Sequence, residues 1–232
     1  MSKRLLVIVP AYNEEGSIEK VVTNIGTANS QYDIVVINDC STDRTSEILE
    51  KTFINHVDLP INLGIGGAMQ TGYLYALDNK YDYAVQVDGD GQHDPKEIIR
   101  LVAKMESWKA DMIIGSRFVE KTEYNQKIMR MLGINMFSLV TRFLIGQSIK
   151  DSTSGFRLVN HRVIKYFAEN YPTDYPEPEV LVGLTRRGFK IVEIPVRMHL
   201  RETGVSSINS LRSVYYMAKV FFAMLIEKIR KV

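Results

Sequence analysis

The sequence predicts an α/β protein with a mostly parallel β-sheet flanked by helices. Short β-branched runs alternate with segments of helical composition over the first half of the chain. A polar cluster directly follows each of four such runs, as expected where parallel strands end at a ligand-binding edge. Hydrophobic residues make up 45% and charged residues 24% of the 232 residues, which is ordinary for a globular domain with a sizeable core.

Four buried strands are predicted in the first half because each is a short apolar run bounded by turn-forming residues. They cover Leu5–Val9, Ile34–Asn38, Tyr83–Val87 and Met112–Gly115. Helices are predicted between and after them, over Glu15–Ala28, Thr42–Thr52, Gly66–Leu77 and Pro95–Ser107. Pro95 supports the start of the last helix, since proline suits the first helical turn.

The second half is less regular. Strands are predicted over Gly155–Val159 and Lys190–Val196, and helices over Ile128–Ile145, Glu177–Arg187 and Ser210–Lys231. We expect residues 1–207 to form one domain and residues 208–232 to form an amphipathic C-terminal helix.

Composition narrows the class of protein. The net charge of +2 gives no reason to expect a nucleic-acid partner, and the single cysteine excludes an internal disulfide. The apolar run Leu5–Val9 ends at Pro10 and is too short for a signal peptide. No run reaches the roughly 18 apolar residues of a spanning helix. We therefore expect a cytoplasmic protein, either soluble or peripheral to the membrane.

An Asp-Gly-Asp-Gly-Gln-His segment carries the strongest chemical signal. Asp88 and Asp90 leave a predicted strand two residues apart, and Gly89 and Gly91 let the chain turn tightly around them. Two carboxylates suit Mg²⁺ or Mn²⁺, which keeps coordination sites for diphosphate oxygens. Gln92 can add a neutral carbonyl oxygen. The alternative is an ordinary Asp/Gly turn without a metal.

Polar residues also follow the first two predicted strands. Tyr12 and Glu14 follow the first, where an aromatic ring and a carboxylate can hold a base and a ribose. Asp39 follows the second and can accept hydrogen bonds from either group.

Helix capping is the alternative explanation for these two clusters. Asn13 would be the N-cap of the first helix, and Ser41 or Asp43 would cap the second. Capping and ligand binding can both hold.

The segment Asn62–Ala68 contains three glycines just before a predicted helix. Its pattern differs from the dinucleotide-binding fingerprint. We place Gly67 near the nucleotide base, with close packing of the helix as the alternative.

Three arginines are candidates for phosphate contacts because the planar guanidinium matches phosphate oxygens: Arg117, Arg157 and Arg201. Glu179 lies near the start of a predicted helix, and a direct catalytic role competes there with simple stabilisation of the helix dipole. His93 adjoins the acidic segment and is predicted to shape its loop.

Five motifs occur together in a characteristic order. They are Pro10-Ala11-Tyr12-Asn13-Glu14, Asn38-Asp39-x-Ser41-x-Asp43, Asp88-Gly89-Asp90-Gly91-Gln92-His93, Gly115-Ser116-Arg117 and Ser154-Gly155-Phe156-Arg157. The set resembles the family 2 glycosyltransferases of the Rossmann-like GT-A fold, in particular the dolichyl- and polyprenyl-phosphate sugar synthases. The resemblance covers residues 4–207.

The resemblance implies an inverting transfer from a nucleotide diphosphate sugar. We expect UDP-N-acetylglucosamine or UDP-glucose ahead of GDP-mannose, although no residue decides between these donors. The resemblance also implies that Asp88, Asp90 and Gln92 bind the metal. Combined with the assignments above, the predicted donor site comprises Pro10, Tyr12, Glu14, Asp39, Gly67 and Asp88. The predicted catalytic residues are Asp90, Arg117, Glu179 and Arg201, and the predicted acceptor-phosphate ligands are Arg117, Arg157 and Arg201.

The implied acceptor is a polyprenyl phosphate such as undecaprenyl phosphate, whose anionic oxygen needs little help from a general base. Ser207 stands where the family loop Arg-x-x-Gly-x-Ser-Lys often has its lysine. Transfer to a glycan hydroxyl with Glu179 as base therefore remains an alternative. A nucleotide-sugar-binding protein without enzymatic activity is the third hypothesis.

A lipid acceptor requires contact with the bilayer. Ile128–Ile145 and Ser213–Val232 combine apolar residues with basic ones, which is typical of helices lying at a membrane surface. We expect contact with the inner face of the cell membrane. Core packing, or docking onto a small membrane protein or a second copy of the chain, are the alternatives for these segments.

Overall fold

The structure is a computed structural model, and it describes residues 3–117, 149–173 and 176–199 together with the single residues 142, 146, 222 and 226. The predicted helices over 128–145 and 210–231 therefore lie outside the described residues, apart from single positions. Arg201, Ser207 and the predicted C-terminal segment 208–232 also lie outside them, apart from residues 222 and 226.

Within the described residues, seven strands form one sheet. They are β1 (Leu5–Ala11), β2 (Asp33–Asn38), β3 (His56–Asp58), β4 (Tyr83–Gln86), β5 (Met112–Ser116), β6 (Arg157–Asn160) and β7 (Ile191–Pro195). The helices are α1 (Ile18–Ala28), α2 (Thr45–Lys51), α3 (Gly64–Asp78), α4 (Ile98–Trp108), α5 (His161–Asn170) and α6 (Pro176–Arg186). A short 3₁₀ turn over Pro95–Glu97 leads into α4.

The strand order is β3-β2-β1-β4-β6-β5-β7. All neighbouring pairs are parallel except those of β6, which runs antiparallel to both β4 and β5. The carboxyl ends of β1, β2, β4 and β5 therefore share one edge of the sheet. Because β6 runs the other way, its first residue, Arg157, lies at that same edge. The predicted α/β class with a mostly parallel sheet is confirmed.

The sheet is buried on both faces. All seven residues of β1 are buried. Leu6 and Ile8 belong to one apolar core, and Val7 and Val9 belong to the other. Since side chains alternate along a strand, a strand covered on both sides needs a continuous apolar run rather than an alternating one.

Amphipathic helices complete the two cores. On one side, α1 buries Ile18, Val21 and Ile25, which lie on one helical face because they are three and four residues apart. Helix α4 packs into the same core. The opposite core is covered by α3, α5 and α6. Helices thus cover both faces of the sheet, and the loops lie at the ends of the strands.

Two elements were not predicted. Strand β3 has three residues, too few to show periodicity in the sequence. Helix α5 follows β6 with no intervening loop, and its N-cap is Asn160, whose side chain accepts a hydrogen bond from the Val163 N–H at 3.1 Å. Sequence patterns rarely separate a strand and a helix that share one boundary residue.

Several predicted boundaries were also wrong. The first helix begins at Ile18 instead of Glu15, and the second begins at Thr45 instead of Thr42. In both cases the polar residues before the helix belong to a loop that contacts another loop. Among the described residues, no helix is long and apolar enough to cross a bilayer.

Candidate active site

The acidic segment after β4 forms a tight turn at the ligand-binding edge. The Gly91 N–H donates to the Asp88 carbonyl at 3.4 Å, and Gly91 has a φ of 75°, which suits glycine. Asp90 Oδ1 accepts a hydrogen bond from the Gln92 N–H at 3.0 Å. Asp88, Asp90 and Gln92, the three predicted metal ligands, are all partly exposed on this turn.

The Asp88 carboxylate is held by two neighbours. Gln86, which is 2% exposed, donates from Nε2 to Asp88 Oδ1 at 2.7 Å. Gly155 packs so closely that a Cβ there would lie 3.0 Å from Asp88 Oδ2. A side chain at position 155 would therefore displace the carboxylate.

His93 holds the backbone of this turn through a hydrogen bond, in keeping with the prediction that it shapes the loop. Its Nδ1 accepts a hydrogen bond from the Asp88 N–H at 3.1 Å, so the proton of the neutral ring lies on Nε2. The ring is 6% exposed and stacks on Phe156 with 4.8 Å between centroids. His93 thus links the acidic turn to the segment that precedes β6.

The loop after β1 contacts the acidic turn directly. A Cβ on Gly89 would lie 3.1 Å from the Pro10 carbonyl oxygen and 3.3 Å from Glu14 Cγ. Glu14 Oε2 accepts a hydrogen bond from Ser17 Oγ at 2.6 Å. Tyr12 is 48% exposed, so its ring is accessible to a base. The structure brings Pro10, Glu14 and the acidic turn together.

The loops after β1 and β2 are cross-linked by reciprocal hydrogen bonds. Asn13 accepts from the Thr42 N–H at 2.8 Å, and its own N–H donates to Ser41 Oγ at 3.0 Å. The suggested N-cap role of Asn13 is wrong, because Asn13 has a φ of 57° and α1 begins only at Ile18. Its amide is used between loops instead.

Asp43 joins the same network. Its carboxylate accepts from the Thr45 N–H and hydroxyl at 3.0 and 2.6 Å and from the Glu15 N–H at 3.1 Å. Burial acts to raise the pKa of Asp43, but these hydrogen bonds outweigh it and hold the pKa below its ordinary value. Asp43 therefore stabilises the start of α2 as the ionised carboxylate.

Asp39 ties the edge of the sheet to the glycine-rich loop. It is 4% exposed, and its Oδ1 accepts a hydrogen bond from the Leu63 N–H at 2.7 Å.

The glycines of this loop fit close helix packing, the alternative explanation given above. A Cβ on Gly66 would lie 2.3 Å from the Pro172 carbonyl oxygen. Gly67 is buried within α3, where a Cβ would lie 2.4 Å from Leu63 Cβ.

Arg117 follows β5 at the same edge and is paired with Asp151. Its Nε and Nη2 donate to the two carboxylate oxygens of Asp151 at 2.8 and 2.7 Å. The Asp151 side chain is fully buried, and the Arg117 side chain is 14% exposed. The predicted phosphate-binding arginine is thus held in a bidentate ion pair.

Arg157 lies deeper than predicted. It is 1% exposed, and it donates to the carbonyl oxygens of Ser154 and Ser152 at 2.7 and 2.8 Å. Its Nη1 has no hydrogen-bond partner among the described residues. This burial does not support the predicted contact with an acceptor phosphate. The contacts fit a residue that holds the turn before β6.

Glu179 lies near the start of α6. It lines a cavity of about 240 Å³ between α5 and α6, together with Tyr166, Tyr171 and Arg187. Asp88, Asp90 and Gln92 do not line this cavity. The direct catalytic role of Glu179 stays a prediction.

The chemistry of the acidic turn fits a hard divalent cation. Two carboxylates and an amide suit Mg²⁺ or Mn²⁺, which proteins commonly bind through one or two carboxylates plus substrate phosphates. Among the described residues, no group of three or more His, Cys, Asp or Glu side chains is placed to hold a metal alone. Asp88, Asp90 and Gln92 are thus the set that would hold a cation shared with a diphosphate.

Sequence reasoning missed three residues that position the site: Gln86, Asp151 and Gly155. Gln86 is a polar residue inside the apolar strand run before Asp88, and that contrast was a usable signal. Asp151 and Gly155 belong to the polar segment before β6, but their partners are about 35 and 70 residues away, as Arg117–Asp151 and Asp88–Gly155 show. Gly155 stands in the motif Ser154-Gly155-Phe156-Arg157, but no local pattern shows that its partner is Asp88.

Comparisons with known proteins agree with this geometry. Residues 6–167 match the model of the family described as "Glycosyl transferase family 2". The polyprenol monophosphomannose synthase of Mycolicibacterium smegmatis is 30% identical over 94% of this chain and 86% of that protein. The UDP-N-acetylglucosamine–dolichyl-phosphate N-acetylglucosaminyltransferase of Methanococcus voltae is 28% identical over 99% of this chain and 98% of that protein.

A solved structure supports the fold independently. Glucosyl-3-phosphoglycerate synthase from Mycobacterium tuberculosis, in complex with Mn²⁺, UDP and phosphoglyceric acid, superposes with a TM-score of 0.68. The match has 19% identity and covers 98% of this chain and 78% of that chain. The arrangement of strands, the acidic turn at their carboxyl edge and the match over residues 6–167 lead to one conclusion: the chain belongs to glycosyl transferase family 2.

Proposed function

We propose that the protein transfers a sugar from a nucleotide diphosphate sugar to a polyprenyl phosphate, with inversion at the anomeric carbon. The observation that carries this proposal is the presence of an acidic turn and a held arginine at one edge of one sheet. The names of the two relatives above, which join a sugar to a polyprenol or dolichyl phosphate, support the acceptor class.

The donor side of the site is formed by the loops after β1, β2 and β4. Tyr12 is exposed enough for its ring to stack on a base. Asp39 and the glycine-rich loop it orders would border the nucleoside. UDP-N-acetylglucosamine and UDP-glucose are the favoured donors, and the UDP bound to the structural relative is in keeping with them.

Asp88, Asp90 and Gln92 would hold Mg²⁺ or Mn²⁺ against the donor diphosphate. When bound, the cation supplies positive charge to the departing nucleotide diphosphate. The residues contribute orientation: Gln86, His93 and Gly155 fix Asp88 before the donor arrives.

Arg117 would face the acceptor phosphate, with Arg201 as its proposed second ligand. Asp88 and Arg117 leave strands separated only by β6, so their backbones are roughly 10 Å apart from two strand spacings. That separation leaves room for a sugar between the diphosphate and the acceptor. An anionic acceptor oxygen needs no strong base, so this transfer does not require Glu179 as a general base.

Access to a lipid acceptor would come from the later part of the chain. We assign the transferase site to residues 1–207 and membrane contact to residues 208–232, at the inner face of the cell membrane. A small membrane protein or a second copy of the chain is the further proposed partner of that segment.

A direct assay tests the function. Purified protein is incubated with Mn²⁺, undecaprenyl phosphate and each of UDP-glucose, UDP-N-acetylglucosamine and GDP-mannose, and products are detected by mass spectrometry. We expect a lipid monophosphate sugar from one donor, lost in Asp90→Asn. Absence of product from all three donors, while the folded protein still binds UDP, would reject the lipid acceptor.

Transfer to a glycan hydroxyl is the second candidate, because Ser207 replaces the lysine common in the family loop. It requires a general base, for which Glu179 was the sequence-based candidate. A Glu179→Gln variant with wild-type activity on every glycan acceptor would exclude that version.

A further inference from the structure

The segment from Asp151 to Arg157 connects the two charged halves of the site. At one end, Asp151 binds Arg117 through both carboxylate oxygens. Near the other end, Gly155 packs against the carboxylate of Asp88. One short turn therefore contacts both the proposed metal ligand and the proposed acceptor ligand.

The pairing of Arg117 with Asp151 is unusually complete. Asp151 Oδ2 also accepts the backbone N–H of Arg117 at 3.0 Å, so main chain and side chain are held by one carboxylate. Thr153 Oγ1 lies 3.4 Å from Arg117 Nη2. A guanidinium held through Nε and Nη2 is fixed in plane and direction, since the fork geometry is planar.

Asp151 is itself held by the neighbouring strand. Glu193 on β7 accepts the Asp151 N–H at 2.6 Å and the Lys150 N–H at 2.9 Å. Since β7 pairs with β5, the strand that ends just before Arg117, the carboxylate and the arginine are anchored to adjacent strands. The buried carboxylate of Asp151 therefore lies beside Arg117, the arginine that would bind an anion.

We propose that Asp151 is a positioning residue for acceptor binding, which fixes the guanidinium of Arg117 toward the phosphate of the lipid. This role presupposes the lipid-phosphate transfer proposed above. Without the carboxylate, Arg117 would sample many rotamers, and binding of the acceptor would have to order it. With the carboxylate, the arginine is already ordered in the free protein. Acceptor binding then does not lose free energy in ordering this side chain.

A purely structural carboxylate would behave differently. Removing one member of a buried ion pair destabilises the fold wherever the pair lies. Asp111 offers a matched comparison, because it is 6% exposed, pairs with Arg162 at 3.0 Å and accepts the Lys190 N–H at 2.8 Å. It precedes β5 at the opposite edge of the sheet, roughly 20 Å from Arg117, because the two residues are separated by the length of that strand.

The experiment compares Asp151→Asn with Asp111→Asn in steady-state assays with Mn²⁺, the active UDP- or GDP-sugar and undecaprenyl phosphate. For Asp151→Asn we expect KM for the lipid phosphate to rise at least tenfold, with Mn²⁺–UDP affinity by calorimetry within twofold of wild type. For Asp111→Asn we expect both quantities within twofold of wild type even if its Tm falls equally.

A double-mutant comparison separates positioning from general damage. In an Arg117→Gln background, Asp151→Asn should change KM for the lipid phosphate by less than twofold, because no guanidinium remains to be held. If Asp151→Asn fails to fold, Glu193→Gln replaces it and is expected to raise the same KM about threefold or more.

The outcomes are distinct. A wild-type protein that makes no lipid-linked product overturns the proposed function and, with it, the role of Asp151. An active wild type whose Asp151→Asn and Glu193→Gln variants keep wild-type KM values, or whose Asp151→Asn effect persists in the Arg117→Gln background, overturns the positioning role alone.

Discussion

At the scale of single residues, the site depends on side chains that hold other side chains. Gln86 and Gly155 fix the Asp88 carboxylate, and Asp151 fixes Arg117. The residues expected to touch substrate were predictable from the sequence, since they stand in recognisable motifs at strand ends. Two of the three supports were not, because Gly155 and Asp151 are far from their partners in the chain and become neighbours only when the sheet forms. Gln86 lies only two residues before Asp88.

Gly155 gives the sharpest test at this scale. An alanine methyl there would lie 2.7 Å from Gln86 Nε2 and 3.0 Å from Asp88 Oδ2, so the Gln86 amide that holds the carboxylate must shift. We expect Gly155→Ala to weaken Mn²⁺–UDP binding about tenfold, or about 1.4 kcal/mol, by titration calorimetry.

Gly26→Ala is the control for that substitution. Gly26 lies in α1 with nothing within 4 Å of an added Cβ. Alanine there should raise the free energy of unfolding by about 0.5–1 kcal/mol and leave donor affinity unchanged. Equal donor affinities in the two variants would show that Gly155 does not govern the position of Asp88.

At the scale of elements, the strands were easier to predict than the helix starts. Buried strands such as β1 appear as continuous apolar runs, and nothing in the tertiary structure competes with that signal. The residues before α1 and α2 favour helix locally but are used in hydrogen bonds between loops about 30 residues apart. Tertiary contacts therefore override the predicted capping by Asn13 at α1, whereas Asp43 binds both the start of α2 and the neighbouring loop.

The Asp43 contacts at the start of α2 make stability depend on pH. Because its folded pKa is lowered, the carboxylate contributes stability above its unfolded pKa near 3.8, and that contribution is lost as the pH falls through the folded value. We expect Asp43→Asn to be less stable than wild type at pH 7 and to lose less stability between pH 5 and pH 2.5, measured by urea unfolding.

Asp78→Asn supplies the comparison, since Asp78 is exposed at the end of α3. This variant should follow the wild-type pH dependence. A wild-type slope in Asp43→Asn as well would mean that the hydrogen bonds from Thr45 and Glu15 do not influence acid unfolding.

At the scale of the whole molecule, the donor site is shared among loops that follow three different strands. A ligand bridging them should stabilise the entire sheet, because it binds only the folded state. We expect Mn²⁺ with UDP at 100 times Kd to add about 2.7 kcal/mol, raising Tm by roughly 5–10 °C in a thermal melt.

The same thermal melts test whether UDP binding depends on the metal. The gain in Tm should disappear with EDTA and in Asp90→Asn, while UDP alone gives little. A full increase without divalent cation would contradict the assignment of Asp88, Asp90 and Gln92 as ligands of a cation shared with the diphosphate.

The reversed strand β6 has a consequence for how the protein is made on the ribosome. Strand β5 has no place beside β4 until β6 is inserted between them, and β6 ends 44 residues after β5 does, at Asn160 rather than Ser116. At about 5–20 residues per second, roughly 2–9 s pass between the synthesis of β5 and that of β6, and the edge of β4 is unpaired throughout. That interval is when a growing chain would most need a chaperone at this edge.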